Sequence, residues 1–104
     1  MIKQNITAKA KFFSGFSDPT RLSIVETLAE GPKNVCEIVR ITGHSQPNVS
    51  NHLSCLLDCG LVKRQRNGKN IRYSLGGKEI ARLLGVSDRI IAKHYSKLAV
   101  CTKY

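Results

Sequence analysis

Two cysteines four positions apart are the residues of this sequence best suited to chemistry. Cys55 and Cys59 lie in a run with helical periodicity, so their side chains share one helix face with Cβ atoms about 5–6 Å apart. A disulfide needs Cβ atoms about 3.5–4.5 Å apart, so a bridge inside an intact helix would be strained. Metal–sulfur bonds of about 2.3 Å let one ion join thiolates on adjacent turns. The spacing therefore favours chelation over oxidation.

Two thiolates make an incomplete site, and Cys101 is the best candidate for a third ligand. It follows the last expected helix, on a ligand-bearing tail at residues 99–104 that is short and free to fold over a neighbouring surface. The alternative for Cys101 is a tail thiol without a role. The alternative for Cys55 and Cys59 is a pair of small, half-buried apolar residues.

The elements that must position these cysteines follow from capping residues and apolar spacing. The pattern predicts helices at about 7–15, 18–30, 35–41, 45–59 and 78–98, with Ser45 as a cap and Gly60 as a left-handed stop. Strand-like runs at 61–65 and 70–75 flank Asn67 and Gly68, a strong hairpin signal. This order predicts one mainly α domain over residues 1–104, a winged helix-turn-helix with about five helices and a two-stranded wing.

The fourth expected helix carries an apolar stripe and a polar stripe. Val49, Leu53 and Leu56 recur at helical spacing and are predicted to face the core. The polar stripe begins with amides, which can pair bidentately with adenine in a major groove, and it continues to the two cysteines. A solvated helix face is the alternative. The residues expected to meet DNA on this helix are Gln46, Asn48, Ser50, Asn51 and His52.

The expected hairpin is basic and holds no acidic residue. Such a wing suits phosphate contacts, which position a protein without reading sequence, and a solvated basic turn is the alternative. The whole chain has 17 Lys and Arg against 7 Asp and Glu, a formal charge of +10, which favours double-stranded DNA over a membrane surface as partner. The hairpin residues expected to meet DNA are Lys63, Arg64, Arg66, Lys69 and Arg72.

The sequence lacks the signals of an enzyme, a membrane protein or a secreted protein. No run resembles a nucleophile elbow, a phosphate loop or a paired-carboxylate site, so we expect no enzyme. No stretch approaches the roughly 18 consecutive apolar residues of a membrane span, and no apolar signal segment follows the N-terminus. We therefore expect a cytoplasmic protein whose cysteines serve metal or redox chemistry rather than disulfides.

Four runs make the chain resemble the ArsR/SmtB family of winged-helix repressors. The resemblance spans about residues 12–98 and implies a homodimer built from the first and last helices. It also implies an operator with two-fold symmetry and repression that is relieved when an inducer binds. The four runs are Asp18–Arg21, Ser45–Leu53, Gly60–Val62 and Gly68–Leu75.

Within that family, residues 51–60 resemble the cadmium- and lead-sensing branch. This resemblance implies Cys55, Cys59 and Cys101 as metal ligands, with Cys101 supplied by the other subunit. Three thiolates suit soft ions, Cd(II) or Pb(II) first and As(III) next. Zinc is less suited, because Ile90 stands where the family's zinc site on the last helix has histidine. The branch also has an N-terminal cysteine that this chain lacks, so a fourth ligand is undefined.

A second family site, a cysteine pair on the third helix, is incomplete here. Asn34 replaces its first cysteine, so we expect Cys36 to be a buried structural thiol.

Ligation at the end of the DNA-reading helix would reorient the two recognition helices of a dimer and release the operator. The alternatives are a thiol redox or persulfide sensor on the same scaffold, and a DNA-binding protein that ignores metals.

Overall fold

The order of elements matches the order expected from the sequence. The computed structural model describes residues 5–101, so residues 102–104 of the expected tail lie outside the described part. The mainly α fold with a small β-hairpin is confirmed. Its elements are α1 (Ile6–Ser14), α2 (Pro19–Ala29), α3 (Val35–Thr42), α4 (Gln46–Asp58), β1 (Val62–Asn67), β2 (Asn70–Leu75) and α5 (Lys78–Ala99).

Side-chain caps determine where the three central helices begin. Asp18, Asn34 and Ser45 each accept a hydrogen bond from the backbone N–H three residues later, at 2.9, 2.8 and 3.3 Å. Each bond satisfies an N–H that has no partner within its own helix. Gly43 ends α3 in the left-handed conformation, with φ of 78°. Only three residues, 43–45, therefore separate α3 from α4, as in a helix-turn-helix.

The core lies where α2, α3 and α4 meet the base of the hairpin. From α4 it receives Val49, Leu53 and Leu56, which are fully or almost fully buried, as their spacing predicts. The face of α4 that bears polar residues therefore points away from the core. The other buried apolar side chains are Ile24, Val25, Leu28, Ile38, Leu61, Val62 and Leu84.

The hairpin is antiparallel and joined to the helical core at its base. Asn67 pairs with Asn70, so Gly68 and Lys69 form the turn, rather than Asn67 and Gly68. Gly68 has φ of 65°, the left-handed value that a type II′ turn needs at its first central position. Two backbone hydrogen bonds of 2.8 and 2.9 Å join Tyr73 to Lys33 in the loop before α3. The wing is therefore held against the helix-turn-helix.

The second half of α5 leaves the domain. Leu84 is buried, whereas every residue from Asp88 to Cys101 is exposed. The helix bends at His94, whose φ and ψ of −123° and 17° are not helical. Within residues 5–101, no helix combines the length and apolarity that crossing a membrane requires.

Candidate DNA interface and thiol site

The N-terminal half of α4 presents the side chains expected to read bases. Gln46, Asn48, Ser50 and Asn51 are all exposed, while Val49 between them is buried. Burial of that position fixes which side of α4 faces the core. The structure thus leaves four of the five helix residues exposed, and their amide and hydroxyl groups are suitable for contacts with base edges.

His52, the fifth of these residues, is placed differently. Its side chain is only 22% exposed, and its Nε2 lies 3.9 Å from Oδ2 of Asp18, the cap of α2. The hydrogen bond from the Arg21 backbone N–H, and then the charges of Arg21 and His52, hold the pKa of Asp18 below its ordinary value. Asp18 therefore connects the start of α2 to the recognition helix, a contact that sequence reasoning missed because it joins distant residues.

The cations of the hairpin divide between its two faces. Paired residues of an antiparallel ladder share a face, so Arg64 and Arg66 lie beside the partly buried Tyr73 and Ile71. Lys63 lies on the opposite face with Arg72, and Lys69 is in the turn. All five predicted cations are exposed.

Arg72 is more restrained than the other wing cations. Its Nη1 donates a 3.4 Å hydrogen bond to the carbonyl of Pro32. The Asn34 backbone N–H donates a hydrogen bond to the Glu37 carboxylate, which lowers the pKa of Glu37. The charge of Arg72 lowers this pKa further. Arg72 thus lies beside an acidic side chain of α3, which suits anchoring the hairpin better than binding a phosphate.

The thiol groove is a hollow between α1 and the C-terminal end of α4. It has a volume of about 430 Å³, and Cys55 and Cys59 both line it as exposed, free thiols. The expected helical placement of the pair is therefore present, with Cys59 as the C-cap residue of α4. The groove is lined by Ala8, Lys11, Phe12, Cys55, Asp58 and Cys59.

A smaller hollow of about 190 Å³ lies on the side of the same thiols that faces α2, and it brings two cations near them. Lys11 lines both hollows, and Arg21 lines the smaller one. The Arg21 Nη2 is held by a 3.0 Å hydrogen bond to the carbonyl of Ser14 at the end of α1. Neither cation was predicted as a site residue, since only the packing of α1 and α2 against α4 brings them there.

Cys101 is not close to the thiol pair within one chain. It follows the end of α5, where its backbone N–H donates a 3.2 Å hydrogen bond to the carbonyl of Leu98. Among residues 5–101, no three side chains of Cys, His, Asp or Glu are near enough to one another to hold a metal ion. A three-cysteine site therefore requires Cys101 of another copy of the chain or a rearrangement of this one.

The prediction that Cys36 is buried is wrong. The thiol is exposed, near the start of α3. Val35, Ile38 and Val39 turn one side of α3 toward the core, and position 36 falls outside that stripe. Cys36 also lines neither of the two hollows next to Cys55 and Cys59.

Comparison with known sequences finds bacterial regulators. The family model described as "Bacterial regulatory protein, arsR family" matches residues 18–64, from the cap of α2 into β1. A Streptomyces lividans protein named "Probable mercury resistance operon repressor" is 42% identical over 94 residues, which are 90% of this chain and 75% of that protein. The HTH-type transcriptional regulator CmtR of Mycobacterium tuberculosis is 39% identical over 85 residues, 82% of this chain and 72% of CmtR.

Solved structures agree with this assignment. The crystal structure of M. tuberculosis Rv0081 superposes with a TM-score of 0.84 at 30% identity, covering 94% of this chain and 99% of that one. A homodimeric winged helix-turn-helix DNA-binding domain from Mycobacterium bovis gives a TM-score of 0.77 at 27% identity, covering 89% and 85%. The winged helix-turn-helix fold and the expectation of a regulator rather than an enzyme are therefore confirmed. This chain belongs to the arsR family of bacterial regulatory proteins.

Proposed function

We propose that the protein is a cytoplasmic repressor that binds double-stranded operator DNA as a homodimer and releases it when a soft ion binds cysteine thiolates. One observation carries this proposal: the outward-facing amides and the thiol pair lie on the same helix, α4. Asn48 and Asn51 lie in its first half, and Cys55 and Cys59 lie at its end. Because a helix moves largely as a rigid rod, ligation at one end also acts on the end that reads DNA.

The DNA-binding part of the proposal depends on the surface chemistry of α4 and the wing. The exposed amides offer paired donors and acceptors to base edges, and the wing cations offer phosphate contacts. In a two-fold symmetric dimer, the two copies of α4 would enter major grooves about 34 Å apart. A small change in the angle between the subunits would therefore weaken operator binding.

The dimer would form through α1 and α5. Ile90, Ile91 and Leu98 are apolar, exposed and located where α5 leaves its own domain, and Phe13 of α1 is exposed too. A second copy of the chain is the occupant that this face suits, since a homodimer is known for the M. bovis structure of the same fold. Docking there would bring Cys101, at the end of α5, onto the other subunit.

The inducer class follows from the donor set. Cys55, Cys59 and Cys101 offer thiolates, the softest ligands a protein has, and all three are exposed and free of disulfides. Cd(II) and Pb(II) fit this set, and As(III) fits its three thiolates. The relative named as a mercury resistance repressor adds Hg(II) to the ions to be tested. Zinc fits less well, because it is usually held by four ligands and this set supplies three thiolates.

A metal titration of the reduced full-length protein tests the ligand set. We expect a thiolate-to-metal absorbance band with Cd(II) that saturates at one ion per chain and weakens in Cys55→Ser, Cys59→Ser and Cys101→Ser. Cys36→Ser is the matched control, because Cys36 lines neither hollow at the thiol pair. A band that survives loss of Cys55 and Cys59, or that Cys36→Ser removes, would contradict the assignment.

Fluorescence anisotropy with labelled DNA tests the switch. The operator is obtained first, by selecting tightly bound duplexes from a random pool with the metal-free protein. Cd(II) should then weaken the affinity of the wild type and of Cys36→Ser, but not that of Cys55→Ser. By linkage, the operator must weaken metal binding by the same factor. Operator affinity that Cd(II) leaves unchanged in the wild type would refute the proposed release.

A thiol redox or persulfide sensor is the second candidate, and the exposure of all four cysteines supports it. Exposed thiols are open to oxidants, whereas buried ones are inert. Release of DNA by a peroxide or polysulfide without metal, reversed by a strong reductant, would favour this candidate. Release by Cd(II) in the presence of reductant would favour the metal sensor.

A further inference from the structure

His52 is the expected DNA-reading residue of α4 that faces its own domain. Val49, three residues before it, and Leu56, four residues after it, are both buried, so His52 lies at the edge of the buried stripe. Its side chain is only 22% exposed. Asn51 differs, because the residues at the same two spacings from it are exposed. Asn51 is therefore open to a base edge, whereas His52 is set against the rest of the domain.

The group that His52 meets is the cap of α2. Oδ2 of Asp18 lies 3.9 Å from Nε2 of His52, and the same oxygen accepts the 2.9 Å hydrogen bond from the Arg21 backbone N–H. One carboxylate oxygen therefore faces both the first turn of α2 and the middle of α4. A distance of 3.9 Å is too long for a hydrogen bond, so the two side chains attract each other by charge when the imidazole is protonated.

We propose that His52 positions the recognition helix by pairing with Asp18 and does not itself contact a base. This inference rests on the DNA-binding part of the proposed function, but not on its metal-binding part. Bidentate contacts between amides and bases require a geometry held within about 0.5 Å and 10–20°. Asn48 and Asn51 lie on the turn of α4 just before His52, so holding His52 against α2 also holds these amides.

Base discrimination separates positioning from direct contact. Fluorescence anisotropy measures the affinity of each variant for the selected operator and for duplexes that each carry one changed base pair. His52→Ala should lose discrimination at several base pairs at once, since every base contact of α4 shifts together. Asn51→Ala, the matched control at the neighbouring exposed residue, should lose it at a single base pair. Loss confined to one base pair in His52→Ala would overturn the inference.

A double-mutant cycle on reduced, metal-free protein tests whether His52 acts through Asp18. Asp18→Asn keeps a capping side chain without its charge, and His52→Gln keeps a polar side chain that cannot be protonated. At about pH 6, where an imidazole is largely protonated, the two substitutions should be coupled in operator affinity by about two- to fivefold. At about pH 8 this coupling should disappear. Asn51→Gln combined with Asp18→Asn is the matched control cycle and should be additive at both pH values.

The cycle also accounts for the other charged and titratable groups near the pair. Arg21 of α2 acts on Asp18 through its charge, and its Nη2 is held by the Ser14 carbonyl. Cys55 lies three residues beyond His52 on α4. Arg21 and Cys55 are the same in all four proteins of the cycle, so their own effects on affinity cancel from the coupling.

Denaturant titrations of the same variants separate positioning from support of the fold. A pair that only supports the fold would show coupling in the free energy of unfolding and none in operator affinity, which would overturn the inference. A wild type that selects no duplex would refute the DNA-binding function and this inference with it. Selection of an operator together with an additive cycle would refute this inference alone. Operator binding that Cd(II) leaves unchanged would refute the proposed release and leave this inference standing.

Discussion

At the scale of single residues, Gly76 shows how tightly the hairpin closes on the end of α4. A Cβ atom added at Gly76 would collide with the backbone carbonyl of Gly60. Neither backbone segment can move without disturbing the connection between α4 and the wing. We expect Gly76→Ala to lower the free energy of unfolding by about 1–3 kcal/mol in denaturant titrations.

Gly77→Ala is the control for this prediction. The Cβ atom at Gly77 would meet only Oε1 of Glu79, the flexible end of an exposed side chain. The free energy of unfolding of this variant should fall less than that of Gly76→Ala, because alanine is only a weaker N-cap of α5 than glycine. Equal destabilisation by the two substitutions would show that the collision at Gly76 is not the cause.

Asp18 gives a prediction about acid stability. The Arg21 backbone N–H, and then the charges of Arg21 and His52, keep the folded-state pKa of Asp18 below its ordinary value of 3.8. The carboxylate therefore stabilises the fold above that value, and its contribution is lost as the pH falls through the lower, folded pKa. Asp18→Asn keeps a capping side chain but cannot titrate.

The free energy of unfolding of Asp18→Asn should consequently fall less steeply in acid than that of the wild type. Denaturant titrations repeated from neutral pH to below 3.8 measure both slopes. Parallel curves would mean that Asp18 does not couple the fold to protonation.

Predictions about single residues succeeded where the neighbouring sequence determines a residue's role. They failed where contacts between distant residues determine its surroundings. Ser45 is a cap, as predicted, because a cap needs only the next three residues. Cys36 was assigned to the core by comparison with a family pattern, whereas the periodicity of α3 turns it toward solvent. The positions of Lys11 and Arg21 beside the thiols depend on how α1 and α2 pack, which no spacing in the sequence reveals.

At the scale of elements, we expect different arginines of the wing to bind phosphate and to anchor the hairpin. Arg66 is exposed one pair from the tip of the hairpin, and Arg72, in the adjacent pair of the ladder, donates a hydrogen bond to the Pro32 carbonyl. Arg66→Ala should reduce the slope of log affinity against log salt concentration by about one, since one phosphate contact is lost. Arg72→Ala should change that slope less, because its guanidinium group is already engaged within the protein.

Operator binding measured by anisotropy over a range of salt concentrations gives both slopes. Arg72→Ala should instead lower the melting temperature, since the wing loses one of its hydrogen bonds to the loop before α3. Equal changes in slope for the two variants would contradict the division of roles between these arginines.

The helices and strands were largely predictable, because particular residue types mark where each element begins and ends. The left-handed glycines at 43 and 60 end α3 and α4, and the apolar stripe of α4 shows which of its faces is buried. The first strand begins at Val62, one residue later than predicted, because Leu61 packs into the core. Its turn starts at Gly68 because pairing continues through Asn67 to Asn70.

At the scale of the whole molecule, one chain does not cover its own apolar surface. The radius of gyration is 14.9 Å, against about 13 Å for a compact chain of this length. The accessible surface of 7891 Å² exceeds that of a compact monomer of this size by about 2,000 Å². A stable interface needs about 800 Å² from each partner, so the excess is large enough for a dimer.

The sequence alone could not reveal this exposure. Ile80, Leu84, Ile91 and Leu98 fall on one apolar stripe of α5, and a stripe looks the same whether its own chain or a second copy covers it. Only the structure shows that Leu84 is buried while Ile91, seven residues later, is 42% exposed. The seven-residue spacing is the one at which a helix returns the same face to a partner.

Ile91→Glu tests the dimer. The substitution would place an unpaired charge in the interface of each subunit, at a cost of about 3–5 kcal/mol, which weakens dimerisation by about 100-fold or more. Ser96→Glu adds the same charge at an exposed polar position of α5 and should leave the dimer intact. Sedimentation velocity over a range of concentrations measures the dissociation constants. If Ile91→Glu stayed dimeric, subunits would meet elsewhere, and Cys101 at the end of α5 would have no route to the partner's thiol pair.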